Sequence, residues 1–144
     1  MIFKSYFKKK EYFSSGILEE EIPFVYGEIH GVKRSFYFSR LRFVCKETTF
    51  VRGERNGVER TYYRTGSLGI EDLFIDGRHN GKSIEFYNYG VLRSEIFFVD
   101  NRKHGIERIF HESGIMVYCC FYNNNIREKV EDYDEFGRIM QGRV

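Results

Sequence analysis

The stretch Gly81-Lys82-Ser83-Ile84-Glu85-Phe86-Tyr87-Asn88-Tyr89-Gly90-Val91-Leu92-Arg93-Ser94-Glu95-Ile96-Phe97-Phe98-Val99-Asp100-Asn101-Arg102-Lys103-His104-Gly105 reads as one complete structural unit. Ser83 to Tyr87 is a short strand of β-favouring side chains. Asn88-Tyr89-Gly90 is a tight turn. Its glycine supplies the left-handed backbone that closes a hairpin as a type I turn with a G1 bulge. The return strand alternates, with Leu92, Ser94, Ile96 and Phe98 on one face and Arg93, Glu95, Phe97 and Val99 on the other. A second turn runs from Asp100 to Gly105, and Asn101 stands in it at a site that calls for positive φ. No segment keeps a helical period long enough to compete with this pattern.

The same offsets recur on both sides. Gly66 is followed by Leu68, Glu71, Phe74, Gly77 and Gly81, and the step from Gly66 to Gly90 is 24 residues. Gly16 is preceded by Tyr12 and Phe13 and followed by Leu18, Glu21, Phe24, Gly27 and Gly31. Gly114 repeats the pattern more loosely, with Phe110 and His111 before it, Met116 and Tyr122 after it, and Cys119 in place of the glutamate. Between Gly16 and Gly66 a further copy fits if its turn is two residues longer: Phe36-Tyr37 opens it, and Val44, Glu47, Phe50, Gly53 and Gly57 complete it. Tyr133 to Ile139 resembles the first half of another. Repetition at fixed offsets is the signature of a tandem array in which each unit covers its neighbour. The expected organisation is a single repeat domain over 1–144, with copies at about 8–31, 32–57, 58–81, 82–105 and 106–129 and a partial one at 130–144. The expected fold is all-β: a single-layer, twisted antiparallel meander of hairpins. About eleven strands at roughly 4.8 Å spacing make a sheet roughly 50 Å long.

Composition agrees with this reading and excludes several function classes. The chain has 144 residues, of which 15 are Phe, 11 Tyr, 14 Gly and one Pro. Aromatic residues suit a half-buried pleated surface, and glycines without prolines suit turns of positive φ. The net charge of +2, from 23 basic and 21 acidic residues, lacks the clustered basic footprint of a nucleic-acid binder. Lys8-Lys9-Lys10 is answered by Glu19-Glu20-Glu21, and both runs read as solvated charge. Met1 to Phe7 has no apolar core or cleavage site of a signal peptide, and no apolar run reaches the length that spans a bilayer. Cys45, Cys119 and Cys120 are an odd set with two adjacent members, which suits a reducing cytoplasm.

The pattern Phe-Tyr-x-x-Gly-x-Leu-x-x-Glu-x-x-Phe-x-x-Gly resembles the bacterial variant of the MORN repeat, with Gly81 through Gly105 the cleanest example and Asn101 in place of the last turn glycine. The resemblance covers roughly residues 8–140. It implies a meandering antiparallel sheet of stacked hairpins without a catalytic site. Proteins of this variant are often labelled antitoxins of toxin–antitoxin pairs, and eukaryotic relatives are associated with protein scaffolding and membrane-lipid contact. The Phe36–Val44 stretch and the Cys119-Cys120 copy depart from the pattern, so a uniform ligand for each repeat is not implied.

Candidate chemistry is sparse. Glu21, Glu47, Glu71 and Glu95 form an acidic row, which reads as a solvated sheet row with cross-strand ion pairs, Arg60 opposite Glu71 and Arg34 opposite Glu47. Carboxylates one repeat apart lie roughly 10 Å from each other, too far to share a metal ion. His30 and His104 stand where other copies have Asn56 and Asn80, which points to a shared turn conformation of positive φ; His79 and His111 occupy other positions. No His-x-x-x-His or Cys-x-x-Cys spacing supports metal ligation. Cys120, beside Tyr118 and Tyr122, reads as core filler. No glycine-rich loop leads from a strand into a helix to cradle a phosphate.

The expectation is therefore a non-catalytic scaffold without cofactor, metal or nucleic acid, which recognises another protein through a sheet face or an open edge strand. No catalytic or binding residue is assigned. Apolar residues on the glutamate face, Val25, Val51, Leu73, Ile75, Phe97, Val99 and Phe121, motivate the partner. The alternatives are membrane-surface attachment through Phe3 to Phe13 and, third, a cryptic enzyme. Exposed terminal strands also allow self-association.

Overall fold

The computed structural model describes residues 5–134 and 136–143. Met1 to Lys4, including Phe3 of the proposed membrane segment, and Glu135 of the last turn lie outside the described residues. The strands are β1 (Tyr6–Tyr12), β2 (Leu18–Val25), β3 (Glu28–Ile29), β4 (Gly31–Phe36), β5 (Val44–Val51), β6 (Glu54–Tyr62), β7 (Leu68–Ile75), β8 (Arg78–His79), β9 (Gly81–Phe86), β10 (Leu92–Val99), β11 (Arg102–Phe110), β12 (Met116–Asn123), β13 (Ile126–Tyr133) and β14 (Ile139–Arg143). They form one open antiparallel sheet in chain order, with β3 and β8 pairing only with β2 and β7. The all-β hairpin meander is as expected. The strand count exceeds eleven partly because β3 and β8 are two-residue pieces cut from β4 and β9 by a local irregularity.

Two kinds of turn alternate. At Gly16, Gly66, Gly90, Gly114 and Gly137 φ lies between +76° and +88°. Around Gly90, its N–H donates to Tyr87 O and the Tyr87 N–H donates to Val91 O, both at 2.8 Å. The same bonds recur at the other four glycines, as a type I turn with a G1 bulge requires. In the Phe36–Val44 stretch the closing bond runs from Tyr37 N–H to Phe43 O at 2.8 Å, and Arg42 takes the left-handed position at φ +54°. The second turns are two-residue type I′ loops. Asp76 and Gly77 have φ of +47° and +75°, Asp100 and Asn101 +48° and +65°, Asn124 and Asn125 +50° and +70°. Asn101 thus holds positive φ as expected.

His30, Asn56, Asn80 and His104 do not take the positive φ expected of them. It falls on the glycine that follows each, with Gly81 at +117°. The reason lies in the ladder: the Asn80 N–H donates to Leu73 O at 2.9 Å, and His30 N–H to Pro23 O at 3.0 Å. The next residue absorbs the kink. At Gly81 a Cβ would come within 2.7 Å of Leu73 Cδ2, so close approach as well as φ requires glycine there.

Directly opposed residues share a sheet face. One face carries Ile22, Thr48, Glu59, Phe74, Ile96, Cys120 and Tyr122, all buried. Ile96, Cys120 and Tyr122 form its apolar centre, with Phe98, Tyr118 and Val130 against them. Full burial of one such side chain contributes about 1.5–3 kcal/mol. The opposite face carries the glutamate row. Leu92, expected with Ile96, belongs to this glutamate face instead, and so does Leu18. Leu92 opposes Phe86 while Glu95 opposes Ile84, and residues two apart on β9 point the same way. A bulge between Leu92 and Ser94 inverts the alternation, and Leu18, opposite Tyr12, follows the same rule.

Candidate functional site

The glutamate face is organised by ion pairs between neighbouring strands. Arg34 Nε donates to Glu47 Oε1 at 2.8 Å and Arg60 Nε to Glu71 Oε2 at 2.7 Å, the two pairings expected from the hairpins. Glu95 is held from both sides, by Lys82 Nζ at 2.6 Å and Arg108 at 2.7 Å. The hydrogen bond from Lys82, reinforced by Arg108, holds its carboxyl below the usual glutamate range. Lys10 Nζ lies 3.6 Å from Glu21. Every carboxylate of the row is thus engaged by a cation. The row neutralises itself, as read from the sequence.

Beside the ion pairs, toward the type I′ turns, runs the apolar strip. Val51, Ile75, Phe97, Val99 and Phe121 are between 39 and 46 % exposed, while Val25 and Leu73 are half-buried. Strands two apart repeat the same kind of side chain, so the apolar positions recur in several hairpins. Charged residues directly opposite, Glu54 across from Val51, Arg78 from Ile75 and Arg102 from Val99, alternate with these apolar side chains from strand to strand.

The buried face holds a ladder that the sequence reading missed. Arg55 lies over the Phe74 ring, 4.1 Å from its centroid. Phe74 stacks on His79 at 5.0 Å and His79 on Phe98 at 3.9 Å. Lys103 Nζ then sits 4.9 Å from the Tyr122 centroid. Aromatic rings and basic groups alternate along one row, held by ring stacking and cation–π attraction. The signal was present in the sequence: a basic residue or histidine follows each ladder aromatic by five positions in Phe50/Arg55, Phe74/His79, Phe98/Lys103 and Tyr122/Arg127.

Ser83, Asp72 and His79 meet on this face, a combination that invites comparison with a hydrolase. The Ser83 hydroxyl donates to Asp72 Oδ1 at 2.6 Å. His79 Nε2 lies 3.2 Å from the same oxygen, but misaligned for a hydrogen bond. The hydroxyl therefore points to the carboxylate and not to an imidazole that could take its proton, so the group orders the sheet without activating a nucleophile. The thiols are no better placed: burial pushes both Cys45 and Cys119 up, away from the reactive thiolate form. Cys120 is buried beside Tyr118 and Tyr122, as expected of core filler.

Residues 103–124, from the lysine of the ladder to the first asparagine of the last type I′ turn, match the family model of the MORN repeat variant. That segment is similar to a MORN-variant repeat. No curated protein matches the chain. The geometry of that MORN-variant segment is not confined to it. Its turn bonds recur at Gly16, Gly66 and Gly90, and its contacts to the preceding hairpin recur too. The Asn125 N–H donates to Lys103 O at 2.9 Å, Asn101 N–H to His79 O at 2.9 Å and Gly77 N–H to Arg55 O at 2.8 Å. Where asparagine occupies the turn it adds a second bond, Asn125 Oδ1 accepting from Lys103 N–H at 2.7 Å and Asn101 Oδ1 from His79 N–H at 2.8 Å. At the opposite end tyrosine hydroxyls make the equivalent stitch. Tyr37 donates to Tyr62 O, Tyr63 to Phe86 O and Tyr87 to Phe110 O, at 2.6, 2.8 and 2.9 Å. In the MORN-variant segment itself His111 stands at this tyrosine position, so that stitch is absent from the pattern there.

Proposed function

We propose that the chain is a non-catalytic repeat scaffold that binds another protein through the exposed apolar strip of its glutamate face. The strip carries the reading: Phe97 and Val99 are 46 and 44 % exposed beside a glutamate row already paired with cations, so a partner that covers them gains apolar burial. The MORN-variant repeat supports a scaffold of this kind, and the antitoxin-like role implied by the resemblance makes a toxin the partner of choice. The geometry around Ser83, Asp72 and His79 and the raised thiols of Cys45 and Cys119 support the absence of catalysis. Three unpaired cysteines suit a cytoplasmic location.

The test is crosslinked affinity capture from the source cells with the wild-type chain and with Phe97→Ser/Val99→Ser. Both side chains are about half exposed, so each change costs about 1 kcal/mol, and circular dichroism confirms that the variant keeps the fold. A stoichiometric protein recovered by the wild type and lost with the variant supports the reading. Stoichiometric binding of a small ligand with no protein recovered refutes it.

Membrane-surface attachment is the second reading. Tyr6, Phe7 and Tyr12 of β1 are 59, 48 and 54 % exposed beside the lysine run. Lys9 and Lys10, however, are paired with Glu11 and Glu21, which leaves less charge for an anionic surface. Flotation with anionic vesicles, reversed by salt, favours this reading over the first.

A further inference from the structure

The Phe36–Val44 stretch is where the repeat pattern is broken by insertion, and the insertion brings two arginines. Arg40 and Arg42 lie on the loop between β4 and β5, and together with Ser39 they face the Ser15 and Gly16 turn of the first hairpin across a cleft of 270 Å³. Tyr12, Ile17 and Leu18 also line the cleft. No carboxylate lines it. Arg34, Arg60, Arg78, Arg93 and Arg108 each have a carboxylate partner, whereas Arg52, Arg64, Arg102 and Arg127 have none among the described residues but do not line this cleft. Arg40 and Arg42 have none among the described residues. The hydroxyls are free as well. Ser39 Oγ accepts from Leu41 N–H at 3.2 Å, which leaves its own proton to donate.

A second observation is independent of the cleft. Arg42 holds the left-handed backbone position, φ +54°, that glycine holds in every other turn of this kind. A non-glycine residue there is strained, and strain retained against an obvious relief collects at functional positions. Glycine at position 42 would relax the turn. An arginine thus lines the cleft where a glycine would cost the backbone less.

We infer that this cleft is a binding site for a phosphate monoester, with Arg40 and Arg42 as the cationic clamp and Ser15 and Ser39 as neutral donors. Two guanidinium groups match a doubly charged tetrahedral anion better than a single carboxylate, because each can donate two parallel bonds to a pair of oxygens. The site does not depend on the apolar strip or its partner. The phosphate comes either from a small phosphate ester or from a phosphorylated side chain of a protein.

The experiment is a chemical-shift titration of the intact chain at low ionic strength with sodium phosphate, against matched chloride. A pentapeptide Gly-Gly-phosphoserine-Gly-Gly serves as second probe and its unphosphorylated form as control. The expected result is saturable shifts confined to the amides around Ser15, Ser39 and Arg42. Arg40→Ala and Arg42→Gly should each weaken phosphate binding about tenfold or more, the loss of one charge-assisted hydrogen-bonded group. Arg42→Gly should at the same time raise the melting temperature, so loss of binding cannot be put down to unfolding. Tighter binding of the phosphopeptide than of phosphate identifies a phosphorylated chain as the source, and equal binding a small ester. Unchanged phosphate affinity in both variants, shifts located elsewhere, or a response to vesicles of 20 mol % phosphatidylserine (on the order of a cytoplasmic leaflet's charge) but not to phosphate overturns the inference.

Discussion

Removing the Phe74 ring while keeping its apolar bulk tests whether the ladder on the buried face is held by ring chemistry or by packing alone. Phe74 is 7 % exposed, with Arg55 at 4.1 Å on one side and His79 at 5.0 Å on the other. Phe74→Leu keeps most of the buried hydrocarbon. It loses stacking of about 0.5–1.5 kcal/mol. It also loses a cation–π contact of about 0.5–1 kcal/mol, the lower range because the Arg55 side chain is 41 % exposed. The expected cost is about 1–2.5 kcal/mol, against about 3–5 kcal/mol for Phe74→Ala, which also opens a cavity. Arg55→Ala removes the same cation–π contact together with the 3.9 Å approach to Glu59. A double-mutant cycle cancels the Glu59 contribution and isolates the Arg55–Phe74 coupling, expected at about 0.5–1 kcal/mol. Urea unfolding followed by circular dichroism measures all four proteins. Phe98→Leu combined with Arg55→Ala is the control and should be additive, because Arg55 does not touch Phe98. Additivity within about 0.3 kcal/mol for Arg55 and Phe74 as well refutes the ladder as an electrostatic feature and leaves only packing.

Three further outcomes follow from the turns and the ion pairs. Gly90→Ala places a Cβ with nothing within 4 Å at φ +88°, so its cost is conformational only, about 1 kcal/mol or more; superimposable melting curves would contradict the turn assignment. Gly77→Asn should stabilise by about 0.5–1 kcal/mol, because the amide oxygen can accept from Arg55 N–H as Asn101 and Asn125 do from His79 and Lys103; a lower urea midpoint than wild type rules this out. Glu95 has a lowered carboxyl pKa, caused first by Lys82, so its contribution to stability is full above the unfolded glutamate value of about 4.3 and is lost as pH falls through the folded value. Glu95→Gln should therefore be less stable at neutral pH and show a shallower acid loss than wild type, and parallel stability–pH curves for the two proteins would show that the pair contributes nothing.

The division between what was legible in the sequence and what was not follows the range of the interactions. Turn chemistry is local. Gly16, Gly66, Gly90 and Gly114 announce left-handed turns whatever surrounds them, because only the backbone's own sterics are involved. The glutamate–arginine pairs were legible for the same reason, since a hairpin with a known turn fixes who faces whom. The assignments that failed depended on irregularities in the ladder. Leu92 changed face at a bulge, and the positive φ expected at His30 and Asn80 moved one residue on, because hydrogen bonds to Pro23 and Leu73 decide where each kink falls.

The sequence by itself determined the repeat, the hairpin and the order of strands, because those rest on side-chain alternation and on glycine at fixed intervals. Only the tertiary structure decided which surfaces are spent and which are left over. The ladder contacts between hairpins join residues 19 apart, Arg55 to Phe74, His79 to Phe98 and Lys103 to Tyr122, and form only when hairpins are laid side by side. The cleft of Arg40 and Arg42 exists only because the first hairpin's turn stands beside the inserted loop. Pattern within a strand is set by the pleat, whereas contact between repeats is set by register and bulges, and those are fixed only when the whole sheet is assembled.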